Sequence, residues 1–275
     1  MIAPSEFTTT RETPMRPTFR RATTALATIA ASTALLAGCT STATDGALTI
    51  TSDAISPVAA TSPAWNMTTA EVTRTTALLD TLPVKGRAPK TGYSRDQYGP
   101  AWTDNVDVEF GGNACDTRND ILKRDFTNIT FKDSKRCVVQ AGTLVNDPYT
   151  GKTIDFVRGK NTSSAIQIEH IVSLSNSWQT GAQQLSERQR RNFANDPRNL
   201  IAVDGPTNMA KGDGDAATWL PPNKPYRCTY VSKQVDVKAA YNLWVTQAEK
   251  DAITRVLDTC DTNPSLGSAT GSLGR

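Results

Sequence analysis

The chain has 275 residues, 38% hydrophobic and 21% charged, enough apolar side chain for one domain of ordinary size or two small ones. That composition excludes wholesale disorder and a multi-pass membrane protein. Thirty basic and 27 acidic residues give a formal net charge of +3, too even a balance to hold nucleic acid by bulk charge, so any anionic substrate must be met by local groups. The sequence contains one histidine, His170, and a mechanism that needs imidazole has no other candidate.

From Met15 the chain reads as an export signal: Arg16, Arg20 and Arg21 precede the weakly apolar run Ala22 to Ala37, which is too short to span a bilayer. Leu36-Ala37-Gly38-Cys39 resembles the lipobox of bacterial lipoproteins, which implies cleavage before Cys39 and lipid on its sulfur; a plain secretory signal is the alternative. Removing residues 1–38 takes away four arginines and two glutamates, leaving 26 basic and 25 acidic residues. The export segment thus carries +2 of the net charge of +3. Residues 39–66, rich in Thr, Ser and Ala, read as a tether, 67–262 as the folded domain and 263–275 as a loose tail. The expected location is the outer face of the plasma membrane or the exterior, with the membrane reached through Cys39 and no protein partner inferred.

With Cys39 lipidated, Cys115, Cys137, Cys228 and Cys260 form an even set suited to two disulfides in an oxidising compartment. Three pairings are open. Cys115 with Cys137 and Cys228 with Cys260 is favoured, because each closes a local loop.

Thr68-Thr69-Ala70-Glu71 has capping-box spacing, and Val72, Leu79 and Leu82 follow at helical intervals until Pro83. Lys85 to Pro100 reads as loop, and Asp116 to Leu122 as a capped helix start. Short strands are expected at 129–131, 137–139 and 153–157, with a turn at Asp147-Pro148-Tyr149-Thr150-Gly151. Residues 165–172 alternate apolar and polar over their first half, as a half-buried strand does. Ser186 to Phe193 reads as a basic helix carrying Arg188, Arg190 and Arg191, expected to form a solvated face, with phosphate contact as the alternative. Asn199 to Val203 is a second strand, and Thr207 to Lys211 starts another helix. Tyr226 to Tyr241 and a segment from Thr246, capped by Glu249, close the domain, with Ile253, Val256, Leu257 and Cys260 on one packing face. The fold class is α+β, a small mixed or antiparallel sheet flanked by helices.

Glu169-His170 on one strand, Asn199-Leu200 opening the next and Asn208-x-x-Lys211 on the following helix resemble the HNH nuclease motif of the ββα-metal, or His-Me finger, enzymes. More narrowly, Cys115-Asp116-Thr117-Arg118-Asn119-Asp120, Gly212-Asp213-Gly214-Asp215 and Trp219-Leu220-Pro221-Pro222 are similar to secreted actinobacterial HNH proteins related to the C-terminal domain of GmrSD-type restriction endonucleases. The similarity covers residues 68–260. It implies a ββα-metal core and a metal-dependent endonuclease acting on DNA with little sequence preference, RNA remaining open. It also implies Glu169 and Asn208 as metal ligands and His170 as the base. Asn199 would orient the His170 ring, and Lys211 would contact phosphate. Arg118 belongs to the family pattern, as a substrate contact or as part of a buried ion pair near Cys115.

The chemistry gives these residues a reason to be together. A neutral imidazole, of reference pKa about 6.5, can take a proton from water at physiological pH. A hard divalent cation can stabilise charge on the phosphate oxygens and the leaving 3′ oxygen, and mainly oxygen ligands favour Mg²⁺ or Mn²⁺ over Zn²⁺. Glu169 stands where the family more often has Asp. Neighbouring strand residues point to opposite faces, so Glu169 and His170 share a site only if the strand bends or ends there. The competing expectations are a structural histidine and a non-catalytic cell-envelope module that binds nucleic acid on the same fold.

Overall fold

Side-chain caps set where the helices begin. In the computed structural model, which describes residues 65–260, Thr68 accepts from the Glu71 N–H while the Glu71 carboxylate accepts from the Thr68 N–H, and helix α1 runs Thr69–Thr81. The same reciprocal box starts α4 (Glu187–Asn195) at Ser186 and α7 (Gln247–Leu257) at Thr246. Asp116 caps α2 (Thr117–Asp125) by accepting from the Asn119 N–H. Such caps contribute about 1 kcal/mol each. The expected export signal, Cys39, the tether up to residue 64 and the tail from 261 lie outside the described residues.

The strands form two separate antiparallel sheets. β1 (Thr127–Phe131), β2 (Val139–Leu144) and β3 (Ile154–Val157) make a meander, and β4 (Ile166–His170) pairs with β5 (Leu200–Asp204) in register Ile168 to Ala202 and His170 to Leu200. β2 begins at Val139, later than the expected 137–139, because the Asp133 carboxylate accepts the N–H groups of Cys137 and Val138, at 3.1 Å each, and holds both in a turn. The Asp147 turn forms as expected: its carboxylate takes the Thr150 N–H and hydroxyl, and Gly151 adopts φ +74°.

The β4-β5 ribbon is covered on both faces. Ile166, Ile168, Leu200 and Ala202 pack with Ile121, Leu122, Phe126, Val139 and Phe156 from α2 and the meander. Ile171, Ile201 and Val203 pack on the opposite side with Leu79 of α1, Tyr230 of α6 (Arg227–Ala240) and Ile253 of α7. A third cluster joins Tyr98, Val172, Trp178, Phe193 and Tyr241 beneath α3 (Leu174–Gln179), a helix the sequence reading did not anticipate. α5 (Gly205–Lys211) follows β5 directly, completing strand, strand, helix. Among the described residues no helix is long and apolar enough to cross a membrane.

Arg190 does not share a solvated face with Arg188. It is buried, donates to the carbonyls of Gln97 and Leu185 and lies over the Trp178 ring, whereas Arg188 is exposed and paired with Asp107. Trp219 packs against Tyr149 and Tyr230, in keeping with a packing role.

Cys115 bonds Cys137 and Cys228 bonds Cys260, the second tying the start of α6 to the end of α7. Replacing Cys228 and Cys260 together by Ser removes a cross-link that contributes about 3 kcal/mol. The expected fall in Tm is roughly 10 °C, read by thermal melting against the parent chain; an unchanged transition would rule the bond out as a stabilising element.

Candidate active site

β4 ends at His170, and there the chain presents both of its last side chains to one cleft. Gln167 and Glu169 lie on the side facing α5, while Ile168 and His170 lie on the side facing α2. The strand edge between them forms one wall of a cleft of about 410 Å³. Asn208, Gly212 and Asp213 border it on the α5 side, and Trp102, Arg95 and Arg118 on the other. The two side chains leave opposite faces of the strand, as regular alternation requires, and both border the cleft.

The imidazole is fixed through one nitrogen. Nε2 lies 2.9 Å from the carbonyl oxygen of Ala194, one of the last-turn carbonyls of α4 that have no intrahelical donor. A carbonyl only accepts, so Nε2 carries the proton and Nδ1 keeps its lone pair, making no hydrogen bond among the described residues. Trp102 stacks on the ring with centroids 5.7 Å apart and planes inclined by 15°. Burial lowers the His170 pKa to about 4, opposed by the Ala194 bond and reinforced by the charges of Arg95 and Lys211. The ring is neutral at physiological pH.

Two expected roles are redirected by burial. Asn199 does not touch the His170 ring: its Oδ1 accepts from the Val172 N–H at 2.8 Å, its Nδ2 donates to the Val172 carbonyl at 3.2 Å, and its own carbonyl accepts from the Ile171 N–H. It continues the β4-β5 ladder with a side chain and so fixes the backbone that leaves His170. Lys211 is not at the cleft surface. Its side chain is fully buried, pairs with Glu169 Oε1 and donates to the His170 carbonyl at 3.1 Å. A phosphate cannot reach an ammonium so enclosed.

Glu169 is correspondingly buried, and desolvation raises its pKa against the opposing pull of Lys211. Asn208 Nδ2 donates to Gln167 Oε1 at 2.9 Å, which turns its carboxamide oxygen into the free acceptor. Among the described residues no group of three or more His, Cys, Asp or Glu side chains could hold a metal ion. The donor chemistry still fits a hard divalent ion of the kind that keeps several waters and takes only one or two protein oxygens, since a carboxylate and a carboxamide border the same cleft.

Arg118 is half-buried on the cleft wall and donates to the carbonyls of Ile166 and Ser163, at 3.3 and 3.5 Å. The alternative of a buried ion pair near Cys115 does not form, because Asp120 pairs with Lys123 at 2.6 Å and Asp116 is committed to Asn119. Arg95 and Trp102 escaped the sequence reading. Both sit in a stretch without regular pattern, and only tertiary structure carries them across some 70 residues to His170.

Residues 116–256 match the family described as GmrSD restriction endonucleases, C-terminal domain. A protein of Arthroderma benhamiae described as an uncharacterized secreted protein is 40% identical over 186 residues, 67% of this chain and 83% of that protein. No solved structure matches the chain. The matched span includes Arg118, Glu169, His170, Asn199, Asn208 and Lys211, and leaves out Arg95 and Trp102.

Lys211→Met leaves Glu169 as a buried carboxylate without its cation, at a cost of about 3–5 kcal/mol. Removing Lys211 raises the already elevated Glu169 pKa further, so the folded state holds that proton more tightly than the unfolded chain does. The loss is therefore greatest at neutral pH and shrinks as pH falls and Glu169 protonates. Chemical denaturation of both proteins across pH measures it, and a pH-independent difference would show that another group is responsible.

Proposed function

The chain belongs to the family of GmrSD restriction endonuclease C-terminal domains, and from that membership we propose that it is an exported, metal-dependent endonuclease hydrolysing the phosphodiester bonds of DNA with little sequence preference. At the family level the membership indicates a nuclease-type hydrolase. The observation that best supports the finer reading is the state of His170: neutral, held by Nε2, stacked on Trp102, with Nδ1 uncommitted beside a cleft. That is the form of imidazole a general base requires. Export is supported by the signal-like N-terminus, by two disulfides and by the secreted relative, with Cys39 as the proposed point of lipid attachment.

In the proposed reaction His170 Nδ1 takes a proton from water as the water oxygen bonds to phosphorus, and the bond from phosphorus to the 3′ oxygen breaks. The Ala194 carbonyl receives the Nε2–H throughout and stabilises the imidazolium as it forms. Asn199 and Lys211 hold the main chain on either side of the base, so the ring does not drift from its line of attack. A divalent ion would be held by the Glu169 carboxylate and the Asn208 carboxamide oxygen, and would stabilise the charge that grows on the phosphate oxygens and the leaving oxygen.

Purified protein with plasmid and Mg²⁺ or Mn²⁺ is expected to nick and then linearise it, and to stop on addition of chelator. His170→Ala should lower the rate by about 100-fold or more. An intact plasmid under every metal, or undiminished cutting by the variant, sinks the enzyme reading in favour of a binding module. Parallel reactions with RNA and single-stranded DNA decide the substrate.

The reactive ring is the unprotonated one, so acid removes activity where His170 gains a proton, or where Glu169, its carboxyl pushed up by burial, gains one and releases the ion. At saturating metal, which holds Glu169 ionised, the rate is expected to hold as pH falls below neutrality and to drop near about 4, the lowered His170 value. A pH–rate profile of kcat/KM with its acid limb near the ordinary imidazole pKa of about 6.5 contradicts the buried, stacked base.

A further inference from the structure

The charges around the cleft do not cancel. Both carboxylates on its walls have cations: Glu169 is paired with Lys211, and Asp213 with Lys90 at 3.1 Å, assisted by the Ser175 hydroxyl at 2.8 Å. Neither guanidinium has an anion. Arg95 is exposed, and its side chain makes no ion pair and no hydrogen bond among the described residues. Arg118 has only the two long bonds to backbone carbonyls.

Behind Arg118 stands a third guanidinium. Arg158, half-buried, donates to the Val139 carbonyl and to Asn119 Oδ1, both at 2.6 Å and both neutral. Burial and then the charge of Arg158 hold the Arg118 pKa below its ordinary value, against a smaller pull from the Asp116 carboxylate, which forms no ion pair with it. Two like charges half-removed from water and paired with no carboxylate are unfavourable by themselves. An anion entering from the cleft relieves the conflict.

The backbone under Arg95 is fixed although its side chain is free. Arg95 opens a single 3₁₀ turn that ends at Tyr98, a buried residue whose hydroxyl donates to the Leu174 carbonyl at 2.9 Å and lies 2.7 Å from Ser177 Oγ. The turn is thereby fastened to α3, which starts four residues after the base. Guanidinium groups match phosphate oxygens through paired N–H donors.

We propose that Arg95 and Arg118 are the phosphate-gripping residues of this cleft, left without carboxylate partners so that they engage the phosphodiester oxygens of a nucleic-acid backbone drawn past His170. The proposal rests on the nuclease reading for the identity of the anion and adds what holds it. Arg118 supplies a donor of fixed direction from α2, and Arg95 a reaching donor from the opposite loop. Arg95 lies outside the residues matched to the family, so the grip is completed by a segment beyond the matched domain.

Fluorescence anisotropy of a labelled DNA duplex, titrated with the full chain in chelator so that nothing is cut, tests the grip separately from turnover. Arg95→Gln and Arg118→Gln are each expected to weaken binding roughly tenfold and to flatten the dependence of log K on log salt by about 0.9. Arg118→Lys keeps the charge and should weaken binding while leaving the salt slope in place. Arg255→Gln, an exposed change on α7 away from the cleft, should alter neither. If Arg118→Gln melts early, Arg95→Gln and Arg118→Lys decide the matter. Parental affinity and slope in Arg95→Gln overturn the proposal, even where plasmid cutting by the parent still requires His170. Lost binding in the arginine variants of a chain that cuts no substrate sustains the phosphate site while the nuclease reading falls.

Discussion

An ammonium and a carboxylate shut away from water fasten helix α5 to strand β4, and the arrangement of the cleft follows from that contact. Lys211 reaches Glu169 Oε1 and the His170 carbonyl with one nitrogen, so a single cation fixes both the acidic side chain and the main chain of the histidine. A buried pair of this kind is weak evidence of net stability, because desolvating both ions offsets their attraction. What it specifies is position. Asn208 and Lys211, three apart on α5, share a face, so seating the lysine also sets the asparagine beside Gln167 at the cleft rim.

The remaining constraints act on His170 from other elements. α4 provides the Ala194 carbonyl for Nε2, and β5 provides Asn199, whose carboxamide copies a backbone ladder step to Val172. Each partner is a polar group that would be costly to bury unbonded, so the satisfaction of hydrogen bonds and the orientation of the base are the same requirement. The histidine is thereby positioned by backbone atoms that most substitutions cannot remove.

Much of this was legible in the sequence wherever the physics is local. Thr68 with Glu71 and Thr246 with Glu249 announce their helices because a cap needs only residues three apart, and the Asp147 turn is legible for the same reason. The short loops closed by Cys115–Cys137 and Cys228–Cys260 agree with the structure. α3 was missed because six residues with Ser175, Asn176 and Ser177 at their centre give no apolar period; its signal was the Ser173 cap on Asn176. β2 was placed early because the Asp133 carboxylate competes for two ladder donors. The motif names Glu169, His170, Asn199, Asn208 and Lys211 on one strand-strand-helix unit, but not the depth of each. A lysine expected to contact phosphate has to reach the cleft, and only the packing of α5 on β4 makes Lys211 a buried counter-ion.

The loop carrying Trp102 shows what the site maintains against local preference. Trp102 adopts φ +57°, a left-handed conformation unfavourable for a bulky side chain, and Phe110 and Ala114 in the same loop are also at positive φ. The loop is held by bonds that over-determine it: Asp104 takes the N–H groups of Asn113 and Ala114, Thr117 donates to the Trp102 carbonyl, and Cys115 is joined to Cys137. The strained indole covers one face of the imidazole, and burial is the largest cause of the lowered His170 pKa. Arg95 and Lys211 push that pKa the same way, so the exposed Arg95 and the enclosed Lys211 both help keep the ring unprotonated. A cationic cleft and a neutral imidazole are compatible here for that reason: positive charge near His170 opposes its protonation.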